Sequence, residues 1–168
     1  MKLFFTLLLI GTSFIAVAQD YKLEGNEVKI EAAISFKIAT ATLKPESDAA
    51  LNIIKKYLED KSYISLLRVE GHMDKLVDEL GGTKESTNQT LTEKRALAVC
   101  KRLVELGVDC KRLIAVGFGS TKPVASNDTE EGRKANRRIT FFNVALRGHN
   151  IGGMPSDGGG KVAGEVCE

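Results

Sequence analysis

The chain has 168 residues, enough for one ordinary domain and too few for two comfortable ones. Its 24 basic and 22 acidic side chains nearly cancel, leaving a formal net charge of +2, so charge offers no case for nucleic acid as a partner. The basic pairs Lys55-Lys56, Lys101-Arg102 and Arg137-Arg138 are interspersed with acids and read as solvated faces.

Residues 1–18 carry Lys2, an apolar run from Leu3 to Ile15, and small residues at Ala16 and Ala18 in an A-x-A arrangement. That pattern predicts a secretory signal peptide cut after Ala18. The run is broken at Gly11, Thr12 and Ser13, so spanning about 30 Å of hydrocarbon would strain it. Cleavage removes Lys2 and no acid, taking the net charge from +2 to +1. No cysteine stands near the cut for a lipid anchor, and the alternating segments of a membrane barrel are missing. Export implies an oxidising compartment, where Cys100, Cys110 and Cys167 would make one disulfide and leave one thiol. Which two pair stays open, and their spacing fits no zinc pattern.

After a short lead, residues 19–26, the domain is expected to run over 27–147. Val28, Ile30, Ala32, Ile34 and Phe36 alternate, predicting a first strand from Glu27 to about Phe36. Pro45 suits a first helical turn, and Ala49, Ala50, Ile53, Ile54, Tyr57 and Leu58 recur at helical spacing to Asp60. "YISLLRVEG" predicts a second strand ending at Gly71, with His72 and Asp74 at or just past its carboxyl end. The segment "KLVDELGGTKESTNQ" reads as a long loop. A second helix then opens at Thr90 or Thr92 and ends at Gly107, with Ala96, Val99, Leu103 and Leu106 facing inward. "RLIAVGFGS" supplies a third strand, "DTEEGRKANRR" a short helix with Asp128 as its cap, and "RRITFFNVAL" the last strand. The remaining residues, 148–168, hold seven glycines and predict a flexible tail unless Cys167 ties it down. This order argues for an α+β fold, a two-layer sandwich of helices on one mixed four-stranded sheet.

Few residues can carry chemistry. His72 and His149 are the two histidines, and no G-x-S-x-G elbow or Cys-His signature accompanies them. A metal at His72 and Asp74 would need further ligands, for which only unclustered carboxylates such as Asp78 and Glu79 are available. The glycines of "VGFGS" do not form a dinucleotide pattern. Asp74 at a strand end and Arg95 one turn into a helix suit a zwitterion, carboxylate to ammonium and guanidinium to carboxylate, although a plain surface ion pair has the same spacing.

Five ordered blocks between Ile34 and Phe142 resemble the OmpA-like (OmpA/MotB C-terminal-like) peptidoglycan-binding domain. They are "ISFKIATATLKPES", "VEGHMD", "NQTLTEKRALAV", "RLIAVGFGSTKPVASN" and "EGRKANRRITF". The resemblance implies that Asp74 takes the ammonium and Arg95 the carboxylate of the diaminopimelate end of a peptidoglycan stem peptide. Groups near Phe36, Thr40, Asn88 and Leu91 would line the same groove. Strand alternation lets only one of Arg137 and Arg138 face it, and Arg138 is expected there. His72 would play a supporting part, bonding backbone or Asp74 and orienting the carboxylate. Asn136, Gly132 and Arg133 would close a helix-strand corner.

The chain departs from the pattern at Met73, where the family has Thr, and in a longer loop over residues 75–87. Thr92 replaces Ser and can cap equally. The implied function is a non-catalytic envelope module, without cofactor or metal, that binds peptidoglycan in the periplasm or at the periplasmic face of the outer membrane of a diderm bacterium. Outer-membrane or other envelope proteins would be further partners. The alternative is an interaction adaptor that keeps the fold and has lost wall binding.

Overall fold

The computed structural model describes residues 20–75, 85–152 and 159–168. The signal segment, Asp78 and Glu79, and most of the long loop therefore lie outside the described residues. The order of elements is β1 (Tyr21–Glu24), β2 (Glu27–Ile30), α1 (Ser47–Asp60), β3 (Ile64–Gly71), α2 (Glu85–Glu105), β4 (Leu113–Gly117), α3 (Glu130–Asn136), β5 (Ile139–Leu146), β6 (His149–Asn150) and β7 (Lys161–Val162). The strands join in one sheet in the order β1-β2-β5-β3-β4-β7, with β6 beside β5. β3 and β4 run parallel, while β3 and β5 run antiparallel. The class is the expected α+β with a mixed sheet, although the described residues form seven strands in place of the expected four.

Periodicity explains the two layers. Leu67 and Val69 of β3 point to one face, where they pack with Leu51, Ile54 and Leu58 of α1 and Ala96, Val99 and Leu103 of α2. Helix α2 lies so close to the sheet that two strands must end in glycine. A Cβ on Gly71 would sit 2.4 Å from the Thr92 carbonyl oxygen, and one on Gly117 would sit 2.5 Å from the Glu93 nitrogen. The "G" of "VEGH" therefore belongs to helix packing.

Several boundaries differ from expectation for local reasons. The first strand stops at Ile30, and Phe36 makes only an isolated bridge to Leu43. Between them Ser47 Oγ accepts the Ser35 N–H (2.9 Å) and donates to the Ser35 carbonyl (3.0 Å), so this backbone is satisfied without a sheet partner. The short lead is not outside the domain: Tyr21–Glu24 forms the outer strand of a hairpin with β2.

Helix α2 starts at Glu85, ahead of Thr90 and Thr92. Thr92 is thus inside the helix, where its hydroxyl donates to the Gln89 carbonyl and accepts the Gly119 N–H, tying α2 to the loop after β4 instead of capping. Thr129, not Asp128, caps α3 by accepting the Gly132 N–H. Asn136 does close the corner, its side chain bonding the backbone of Val124 and Ala125 and the Asn127 side chain.

The glycine-rich end meets the stated condition. Cys167 is bonded to Cys110, β7 pairs with β4, and Ala163 and Val166 are buried in the core. Cys100 is the remaining thiol; burial pushes it above its ordinary pKa, which suits an inert core side chain.

Candidate functional site

Four hydrogen bonds hold the segment after β3. The backbone N–H groups of His72, Met73 and Lys75 donate to the Arg138 carbonyl (3.0 Å), the Gly119 carbonyl (2.8 Å) and Asn127 Oδ1 (3.0 Å). Asn88 Nδ2, from the start of α2, donates to the Asp74 carbonyl (3.2 Å). So fixed, Asp74 turns inward and is only 2% exposed. Its Oδ2 accepts from Arg137 Nη1 at 2.7 Å, while Oδ1 is buried with no donor among the described residues. A buried acceptor left in this state is costly unless something else supplies a donor.

Arg95 approaches from α2. Its Nε donates to the Thr40 carbonyl (2.9 Å), Nη1 contacts the Met73 sulfur (3.5 Å), and the guanidinium lies 4.9 Å from the centre of the Phe36 ring. Burial, followed by the Arg137 charge, lowers its pKa, with Asp74 pulling the other way. Leu91 lines a shallow hollow of about 440 Å³ with Ala39, Thr87, Thr90 and Lys94. The structure therefore gathers Asp74 with Asn88, and Arg95 with Phe36 and Thr40, around Met73. It does not pair Asp74 with Arg95. The ion pair of Asp74 is with Arg137, whose second nitrogen, Nη2, donates to Glu130 Oε1 at 2.6 Å.

The sequence profile of the OmpA family matches residues 35–137, more than half of the chain. The chain belongs to the OmpA family. Outer membrane porin F of Pseudomonas aeruginosa is 37% identical over 113 residues, which are 67% of this chain. The peptidoglycan-associated lipoprotein of the same organism is 36% identical over 104 residues, 62% of this chain. These stretches are 30% of the porin and 57% of the lipoprotein, so the chain spans only part of either relative. Among solved structures, the cell wall anchor of the T6SS from P. aeruginosa superposes with a TM-score of 0.58 at 27% identity, covering 76% of this chain and 89% of that one.

Two residues expected at the OmpA-family groove lie elsewhere. Arg138 shares the side of β5 that carries Thr140 and Phe142, which is the reverse face of the sheet, and its guanidinium donates to the Lys122 carbonyl. Arg137 takes the place expected for it. His72 also faces away from Asp74. Its Nε2 lies 3.1 Å from both Glu70 Oε2 and Thr140 Oγ1, and its ring stacks on Phe118. His72 and Asp74 thus have separate partners, and the histidine supports Glu70, which also pairs with Arg68.

This buried group makes stability depend on pH. Burial is the largest influence on His72 and lowers its pKa below the ordinary 6.5, against the opposing hydrogen bond from Glu70. For Glu70, burial pushes upward but the His72 hydrogen bond and Arg68 charge outweigh it, so the net shift is down. Below pH 6.5 the unfolded chain takes up a proton that the folded imidazole refuses, so stability falls with acidification. The slope from one such site cannot exceed about 1.4 kcal/mol per pH unit. Urea midpoints between pH 7.5 and 5.5 should fall for the wild type and fall less for His72→Gln; equal slopes would refute the assignment.

Proposed function

We propose that the chain is a non-catalytic envelope module that binds peptidoglycan by holding the diaminopimelate of a stem peptide between Asp74 and Arg95. The observation that carries this reading is the buried Asp74 Oδ1, an acceptor without a donor among the described residues, in a neighbourhood of two guanidinium groups. An ammonium brings three donors and a positive charge to that oxygen, and the adjoining carboxylate can meet Arg95 in a bidentate fork. Phe36 supports the Arg95 guanidinium by cation–π contact, and Asn88 fixes the Asp74 backbone. Membership of the OmpA family supports the assignment, as do a relative named for its association with peptidoglycan and a wall anchor of the same fold. In this role the protein works in the periplasm or at the periplasmic face of the outer membrane, linking envelope components to the wall.

Sedimentation with purified sacculi tests it. Wild-type protein should pellet, and Asp74→Ala and Arg95→Ala should each lose most of that binding, since breaking one half of a buried charged contact costs about 2–5 kcal/mol. Free diaminopimelate should compete. If the two variants pellet as well as the wild type, the assignment fails; if the wild type stays in the supernatant and does not respond to diaminopimelate, the chain is an interaction adaptor.

A further inference from the structure

The Asp74 carboxylate is built to receive a cation and is already covered by one. Its side chain is 2% exposed, whereas that of Arg137, which bonds it, is 32% exposed. Backbone bonds on both sides fix the segment that carries Asp74. An incoming ammonium that meets Oδ1 must therefore share the carboxylate with the Arg137 guanidinium already held on Oδ2. Of the two partners, the long Arg137 side chain is the one with room to move, being 32% exposed.

Arg137 has somewhere to go. Its other nitrogen already donates to Glu130 Oε1, and the Glu130 side chain is 63% exposed. It also borders an open groove of about 400 Å³ lined by Ile34, Lys134 and Ile139. The Arg137–Glu130 hydrogen bond, at 2.6 Å, does not depend on Asp74, so the guanidinium keeps an anionic contact when Asp74 is withdrawn.

We propose that Arg137 is an internal competitor for Asp74, that Glu130 is the latch that holds it when it yields, and that this exchange sets the affinity for ammonium-bearing ligands. The proposal rests on the diaminopimelate assignment above and adds to it a regulation of the same site. Its physical content is that two cations on one carboxylate repel each other, so an ammonium at Oδ1 binds tightest in molecules whose Arg137 has left Oδ2 for Glu130, and the observed affinity is reduced as that fraction falls. Removing Arg137 abolishes that reduction and also leaves Asp74 with an uncompensated charge, which favours an external cation. Removing the charge of Glu130 does the reverse, because Asp74 is then the one anionic partner left to Arg137 among the described residues.

NMR titration of the purified chain with meso-diaminopimelate and with 1,5-diaminopentane, which has two ammonium groups and no carboxylate, decides the matter. The amides of Met73, Asp74 and Lys75 report binding, and the same spectra report folding. Arg137→Gln should bind the diamine about three- to tenfold more tightly than the wild type, and Glu130→Gln about threefold more weakly. Equal or weaker diamine binding by Arg137→Gln overturns the competition. If that variant does not fold, unchanged diamine affinity in Glu130→Gln overturns it instead. Should the wild type ignore diaminopimelate while Arg137→Gln still binds the diamine more tightly, the diaminopimelate assignment falls and the competition stands. No response to either probe in any of these proteins removes both.

Discussion

Replacing Cys110 and Cys167 together by serine is expected to lower the unfolding free energy by about 2–4 kcal/mol. The bridge closes a loop with a sequence separation of 57 residues. For a loop of that size the chain-entropy estimate is about 4 kcal/mol, and measured losses commonly fall below it. The segment it ties down has little else to hold it. β7 is two residues long, and its neighbour Ala163 donates one backbone hydrogen bond to Ala115 (2.9 Å). Ala163 and Val166 contribute small buried surfaces to the core. Without the bridge, the entropy of ordering these residues should exceed what their contacts return. Urea unfolding measures the loss, and hydrogen exchange at the Ala163 amide should become fast while amides in β3 stay protected. A double variant within 0.5 kcal/mol of the wild type would show that the strand pairing holds the end by itself.

Gly71→Ala is expected to cost about 3 kcal/mol and to weaken sacculus binding beyond what unfolding explains. The added Cβ would lie 2.4 Å from the Thr92 carbonyl oxygen and 3.0 Å from its carbon, both backbone atoms of α2. No side-chain rotation relieves that contact, so the helix or the strand end must shift. Gly71 leads directly into the segment bearing Asp74, and Thr92 lies one turn before Arg95 on α2. The same displacement therefore moves the two halves of the candidate site apart. Thermal unfolding gives the stability term, and sedimentation at a temperature where the variant is fully folded gives the functional one. Gly71→Ala at wild-type stability would mean that α2 sits farther from β3 than described.

Much of the architecture was legible because it is written in local period. The stripe of α1, the run of β3 and the inward residues of α2 each repeat at the spacing of a single element, whatever surrounds it. Less local features were misjudged in instructive ways. The alternation from Val28 to Phe36 is genuine, yet the strand ends at Ile30 because the Ser47 hydroxyl, on the next helix, satisfies the backbone of Ser35. Thr92 has the chemistry of a cap and spends it on Gly119, across the fold.

Arg137 and Arg138 show the same limit at the site. Alternation required the two to take opposite faces, but which of them stands beside Asp74 depends on which of Phe141 and Phe142 is in the core. Phe141 is buried, which puts Arg137 on the side of Asp74 and Arg138 on the reverse face. The sequence by itself determined the types of α1 to α3 and of β2 to β5, the α+β class, the family blocks, and Asp74 and Arg95 as charges of opposite sign at a strand end and a helix start. Tertiary structure alone decided the seven-strand order, the Cys110–Cys167 pairing, the turn of His72 toward Glu70, and the capture of Asp74 by Arg137, a partner 63 residues away. The physical reason is that period encodes which face a side chain takes. Its partner across that face is set by chain packing, through distances that no spacing along the sequence contains.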